Sequence, residues 1–289
     1  MKKSRKILLS LLLIFTLLPL SVLAKEGDTL VTLGEDLTPR EKEAMLEELD
    51  APEDAEIVTV SNQEEYQYLG DVLPAKNIGN KAISCAIVTY TEEGSGIHVE
   101  LSPVVKVIKE GAYRNALTTA GITDADIYVT APGNVSGSAA LTGLLKTYEK
   151  KTGKKIPEEV KKVANEEMVV TSDLQNQVGE DKATDFMNEA KAQMAEKMPK
   201  NEAEVREIIT NVENQYNINL TDNQRTQIIN LFNNMQSANI DWDKVKEEAG
   251  KYTDKAKEYI NSEEGQKNVK KAKGLIQRFI DWIFSLLEK

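Results

Sequence analysis

The stretch Ile127-Tyr128-Val129-Thr130-Ala131-Pro132-Gly133-Asn134-Val135-Ser136-Gly137-Ser138-Ala139-Ala140 decides the fold class. Ile127–Thr130 has the β-rich composition of a strand. Pro132, Gly133 and Gly137 break it, and an Ala- and Leu-rich helix follows to about Tyr148. Upstream the same alternation recurs. Thr29–Leu33 predicts a strand, and Thr38 and Glu41 then form a capping box with Pro39 at the first helical position. That helix should run to about Leu49 and stop before Pro52. Ile57–Val60 reads as a strand and Gln63–Leu69 as a short helix.

Ala82–Thr91 and Ile97–Ile108 read as a β-hairpin joined by Glu92-Glu93-Gly94-Ser95-Gly96, with Ile97, Val99 and Leu101 on one apolar face. In that register Ile83, Cys85 and Ile87 share the buried face. Tyr113–Ala120 is then helical. Residues 25–153 therefore predict an α/β (or α+β) domain, its strand order left open.

After Gly153 the strand signal ends. Phe186, Ala190, Met194 and Met198 recur at helical spacing, as do Val205, Ile208, Ile209, Val212 and Tyr216. Leu220-Thr221-Asp222-Asn223-Gln224 repeats the capping-box pattern. Residues 154–264 predict an all-α helical domain of four to six helices.

Both ends differ from this body. Lys2, Lys3, Arg5 and Lys6 precede the apolar run Ile7–Leu18, then Pro19 and Val22-Leu23-Ala24, which is the pattern of a cleaved secretory signal peptide over 1–24. Losing those four cations takes the formal net charge from −11 to −15. Residues 265–289 carry six basic and two acidic side chains along an amphipathic helix. Ile276, Phe279, Ile280, Trp282, Ile283, Phe284 and Leu287 make its apolar side a candidate contact. Closing the helical core, lying in a membrane interface and docking on a partner protein all suit it.

The acidic balance argues against nucleic-acid binding, which needs clustered cations. One Cys and one His limit the chemistry further. Cys85 has no intramolecular disulfide partner. In the hairpin register His98 lies near Tyr90, on the face opposite Cys85 and about 13 Å along the strand from it, too far for a dyad. A zinc site needs more N/S ligands, and neither Asp124/Asp126 nor Asp241/Asp243 carries a full calcium loop. No catalytic set, metal site or cofactor is expected. Gly133, Asn134, Ser136, Gly137 and Ser138 form a candidate anion-binding loop, the alternative being a tight turn. No Lys precedes the serines, so the phosphate-loop pattern fails.

Gly27–Leu37, Ala116–Gly121, Thr130-Ala131-Pro132 with Ser136–Gly143, Leu220-Thr221 with Gln224, and Asn239–Trp242 together resemble domain-of-unknown-function family 1002, the YpuA-like secreted bacterial proteins. The resemblance spans almost the whole chain after residue 24. It implies secretion and an extracellular or envelope role, with no catalytic residues to carry over. The expectation is a secreted, non-catalytic binding module of the cell envelope, contacting an envelope component or partner protein. The alternative is a hydrolase of envelope glycans that works with carboxylates alone.

Overall fold

A computed structural model describes residues 26–261, with side chains through 251. The leader 1–24 and the candidate contact residues from Ile276 to Leu287 lie outside the described residues. The elements are β1 (Thr29–Gly34), α1 (Pro39–Glu48), β2 (Glu56–Val60), α2 (Asn62–Leu69), α3 (Ala75–Ile78), β3 (Cys85–Tyr90), β4 (Ile97–Leu101), α4 (Glu110–Thr119), β5 (Ala125–Thr130) and α5 (Ser138–Thr152). There follow α6 (Glu158–Val178), α7 (Glu180–Lys197), α8 (Glu202–Tyr216), α9 (Asp222–Ser237) and α10 (Trp242–Asn261). A mixed α/β half thus precedes an all-helical half, as the periodicity predicts.

The sheet order is β2-β1-β3-β5-β4, with β3 antiparallel to the other strands. The expected hairpin does not form. β5 inserts between its two arms, so that Ile127 faces Val88 on one side and Val99 on the other. The reason lies in Asp124. Its carboxylate accepts the amides of Gly94 and Gly96 at 2.9 and 3.0 Å, which makes Glu92–Gly96 a loop spanning the start of β5 instead of a two-strand turn. Ala125, Ile127 and Val129 are buried and suit a central position. β4 also ends at Leu101, short of the expected Ile108.

Inserting β5 changes the faces as well. Leu30, Val88, Ile97, Val99, Ile127 and Val129 meet the helices of the large core, whereas Val31, Leu33 and Cys85 pack with Met45 and Leu49 on the side of α1. Cys85 and Ile97 therefore lie on opposite faces, contrary to the hairpin register. Cys85 and His98 share a face, but they sit opposite Thr130 and Asp126 on strands separated by β5. Four residues of rise and two strand spacings put them about 16 Å apart, and no dyad exists. Burial pushes the Cys85 thiol up to about 12.

Two contacts fix α5. On the outer edge, Lys146 Nζ donates to the carbonyl of Thr59 at 2.6 Å and Lys150 Nζ to that of Ile57 at 3.4 Å, covering the open side of β2. Inward, α5 approaches β1 so closely that a Cβ on Gly143 would lie 2.0 Å from Thr32 Cγ2.

One continuous apolar core joins the two halves, from Leu30 and Tyr113 through Leu141 and Met168 to Phe186 and Phe232. Within it, the Lys191 ammonium on α7 lies 2.8 Å from the Glu167 carboxylate on α6, both side chains fully buried. Lys191 also donates to the Asn115 carbonyl at 3.1 Å, and Thr119 donates to Glu167, so α4 joins the same knot. Burial raises the Glu167 carboxyl above the ordinary carboxylate range, opposed by Lys191.

Two stability measurements check this packing. Glu167→Ala strands a buried ammonium and should cost about 3–5 kcal/mol in urea unfolding, whereas Glu167→Met with Lys191→Met should return most of that. Equal losses in the single and double variants would contradict the role of the pair. Gly143→Ala should cost about 1–3 kcal/mol from overpacking, and Thr32→Ala in the same chain should recover part of it by removing the two closest atoms.

Candidate functional site

The candidate loop joins β5 to α5 at the end of the sheet where the parallel strands finish. Gly137 adopts φ 96°, and a Cβ there would meet the Tyr113 hydroxyl at 2.6 Å, so glycine is required twice over. Tyr113 donates to the Gly137 carbonyl. The hydroxyls of Ser136 and Ser138 lie 2.9 Å apart, and Ser138 Oγ donates to Glu65 Oε1 at 3.3 Å. Asn62 donates to the other oxygen of Glu65 at 3.1 Å. An internal carboxyl group therefore already occupies the Ser138 hydroxyl. Gly133 is half-buried, and of the five residues Asn134 alone is exposed.

Glu65 comes from α2, whose start is fixed by a capping box of Ser61 and Glu64 that the sequence reading did not use. Burial, foremost, lifts the Glu65 carboxyl to about 7, against the opposing pull of Asn62 and Ser138.

A larger concavity lies elsewhere, between α2, α6 and α9, with a volume of about 570 Å³. That is within the range of ordinary small-molecule sites. On α9, Asn230, Asn233, Asn234 and Ser237 recur at i, i+3, i+4 and i+7 and form one wall, opposite the buried Ile228, Leu231 and Phe232. α6 presents Glu159, Lys162, Val163 and Glu166 at the same spacing. Gln67 and Tyr68 of α2, followed by Asp71 and Val72, complete the rim.

The side chains of this cleft are held unequally. Tyr68 donates its hydroxyl to Glu158 Oε2 at 2.9 Å, and the Lys161 ammonium lies 5.9 Å from its ring centroid. Lys161 in turn pairs with Glu158 at 2.9 Å and Glu149 at 3.1 Å. The ring is thus fixed in place. Half-buried Glu166 accepts only the Asn234 amide, at 2.9 Å, and has no ion-pair partner among the described residues. Burial raises its carboxyl above the ordinary range.

Such a lining offers amide and hydroxyl groups that both donate and accept, one anchored aromatic ring, and carboxylates. It brings together none of the residues singled out from the sequence. A detectable signal was present, because an uncharged amide and hydroxyl stripe at helical spacing is unusual on a solvent face that is normally charged. The aspartate pairs have structural work instead. Asp124 holds the β3–β4 loop, and Asp241 accepts the Lys244 amide at 3.1 Å at the start of α10. Among the described residues no group of three or more His, Cys, Asp or Glu is placed to hold a metal ion.

The sequence pattern of the family described as "Protein of unknown function (DUF1002)" matches residues 33–252. The "Uncharacterized protein YpuA" of Bacillus subtilis (strain 168) is 41% identical over 264 residues, covering 91% of this chain and 88% of that protein. No solved structure matches the chain.

The Glu65 carboxyl sets a pH window. Below its ordinary value of 4.5 both folded and unfolded states hold the proton, and above about 7 both have lost it. Between them only the unfolded chain ionises, so stability falls as pH rises, by about 3 kcal/mol for a move from 4.5 to about 7. Urea unfolding at pH 5 and pH 8 should show this loss reduced in Glu65→Gln relative to the unsubstituted chain. An identical loss in both would refute the assignment.

Proposed function

The chain belongs to the DUF1002 family of proteins of unknown function, and from the cleft between α2, α6 and α9 we propose that it is an exported binding protein of the bacterial cell envelope. The leader pattern of residues 1–24 and the acidic charge of the remainder support an extracytoplasmic location. The cleft carries the binding reading. Asn230, Asn233, Asn234 and Ser237 present paired donors and acceptors, which suits a ligand rich in hydroxyl and amide groups. Val72, Val163 and Ala238 supply apolar surface, and Tyr68 a fixed ring. Envelope glycans combine those features. The basic tail 265–289 gives a second contact, with a membrane surface or a partner protein.

One observation favours a hydrolytic second reading. Glu166 is a half-buried carboxyl with a raised pKa in a polar cleft, as a general acid requires. A partner carboxylate would have to come from Glu159, two helical turns or about 10.5 Å along α6, or from Asp71. The Glu159 separation is wide for an acid–base pair, and binding, which needs no such pair, is the better account.

Sedimentation of chain 25–289 with purified envelope fractions tests the proposal. It should co-sediment with the glycan fraction, and Asn233→Ala with Asn234→Ala should reduce retention about tenfold at unchanged thermal stability. Retention by no fraction refutes envelope binding, and release of reducing ends, lost in Glu166→Gln, would establish the hydrolase instead.

A further inference from the structure

The cleft is not electrically neutral. Asp71, Glu159 and Glu166 face it, against the single cation Lys162. Glu158 at the rim is already satisfied by Tyr68 and Lys161. Glu166 is not. It lies half-buried in the α6 wall, four residues beyond Lys162, and its one hydrogen bond comes from a neutral amide. Taking a carboxylate from water without a cation is costly, and a cationic group entering the cleft would offset that cost. The α9 wall, meanwhile, is uncharged from Asn230 to Ser237 and suits hydroxyl groups.

We infer that the cleft takes an amine-bearing glycan, one with free ammonium groups among its hydroxyls, and that Glu166 receives an ammonium while the α9 amides hold the sugar hydroxyls. This rests on the binding reading above and narrows it. Chains of de-N-acetylated hexosamine have this chemistry. Their N-acetylated counterparts have the hydroxyls without the charge, and phosphate-rich polymers carry the wrong sign for three carboxylates.

Calorimetric titration of chain 25–289 at about pH 6.5 and low salt, with glucosamine oligomers and N-acetylglucosamine oligomers of equal length, tests it. The glucosamine oligomer should bind about tenfold more tightly, with the advantage shrinking as salt is raised. Glu166→Gln should cut that preference to about twofold. Lys162→Gln removes the lone competing cation and should strengthen glucosamine binding about threefold, so the test does not depend on one variant folding. Equal affinity for the two oligomers, or a preference untouched by both substitutions, overturns the ammonium inference and leaves the envelope-binding reading standing. Binding of neither oligomer, together with no retention by any envelope fraction, overturns both.

Discussion

A buried ammonium ties this molecule together. Lys191 is the only lysine with no exposed surface that makes an ion pair among the described residues, and with its partners on α4 and α6 it joins three helices. α4 lies on the sheet, α6 spans the middle and α7 belongs wholly to the helical half. The charge is satisfied only when all three are in place, because Glu167 and the Asn115 carbonyl meet the ammonium and Thr119 holds the Glu167 carboxylate. Apolar packing would hold these helices in many registers, whereas a buried charge tolerates very few. The relative placement of sheet and helices, and with it the wall of the cleft, follows from that restriction.

Local rules carried the sequence reading a long way. Capping boxes at Thr38–Glu41 and Thr221–Gln224 appear in the structure as read. The switch from mixed to helical periodicity after Gly153 also holds. What failed was pairing. Glu92–Gly96 has the composition of a hairpin turn, and nothing within it reveals that the Asp124 carboxylate, some thirty residues on, gathers its amides. Strand adjacency is a non-local property, and β5 takes an interior position with Ala125, Ile127 and Val129 buried on one face while Asp126 on the other stays exposed.

The site was less legible than the fold. The loop at Gly133–Ser138 has the local look of an anion cradle, yet the group that meets Ser138 is Glu65, brought from α2 by tertiary structure. The cleft is assembled from three helices far apart in sequence. Its α9 wall could have been read as an amide stripe, but its acidity could not, since Glu166 becomes distinctive only when Asn234 and the neighbouring helices bury it.

An interior strand of the sheet is also the last one made. β5 ends at Thr130, and until it emerges from the ribosome β4 has no neighbour in the sheet and β3 keeps an open side. Synthesis past residue 130 must therefore precede closure of the sheet, and α5, which seals β1, is later still. The first hundred residues hold β1, β2 and β3, which pair with one another, but cannot complete the sheet. A chain cut before residue 125 would therefore keep β1, β2 and β3 but leave β4 without any strand to pair with.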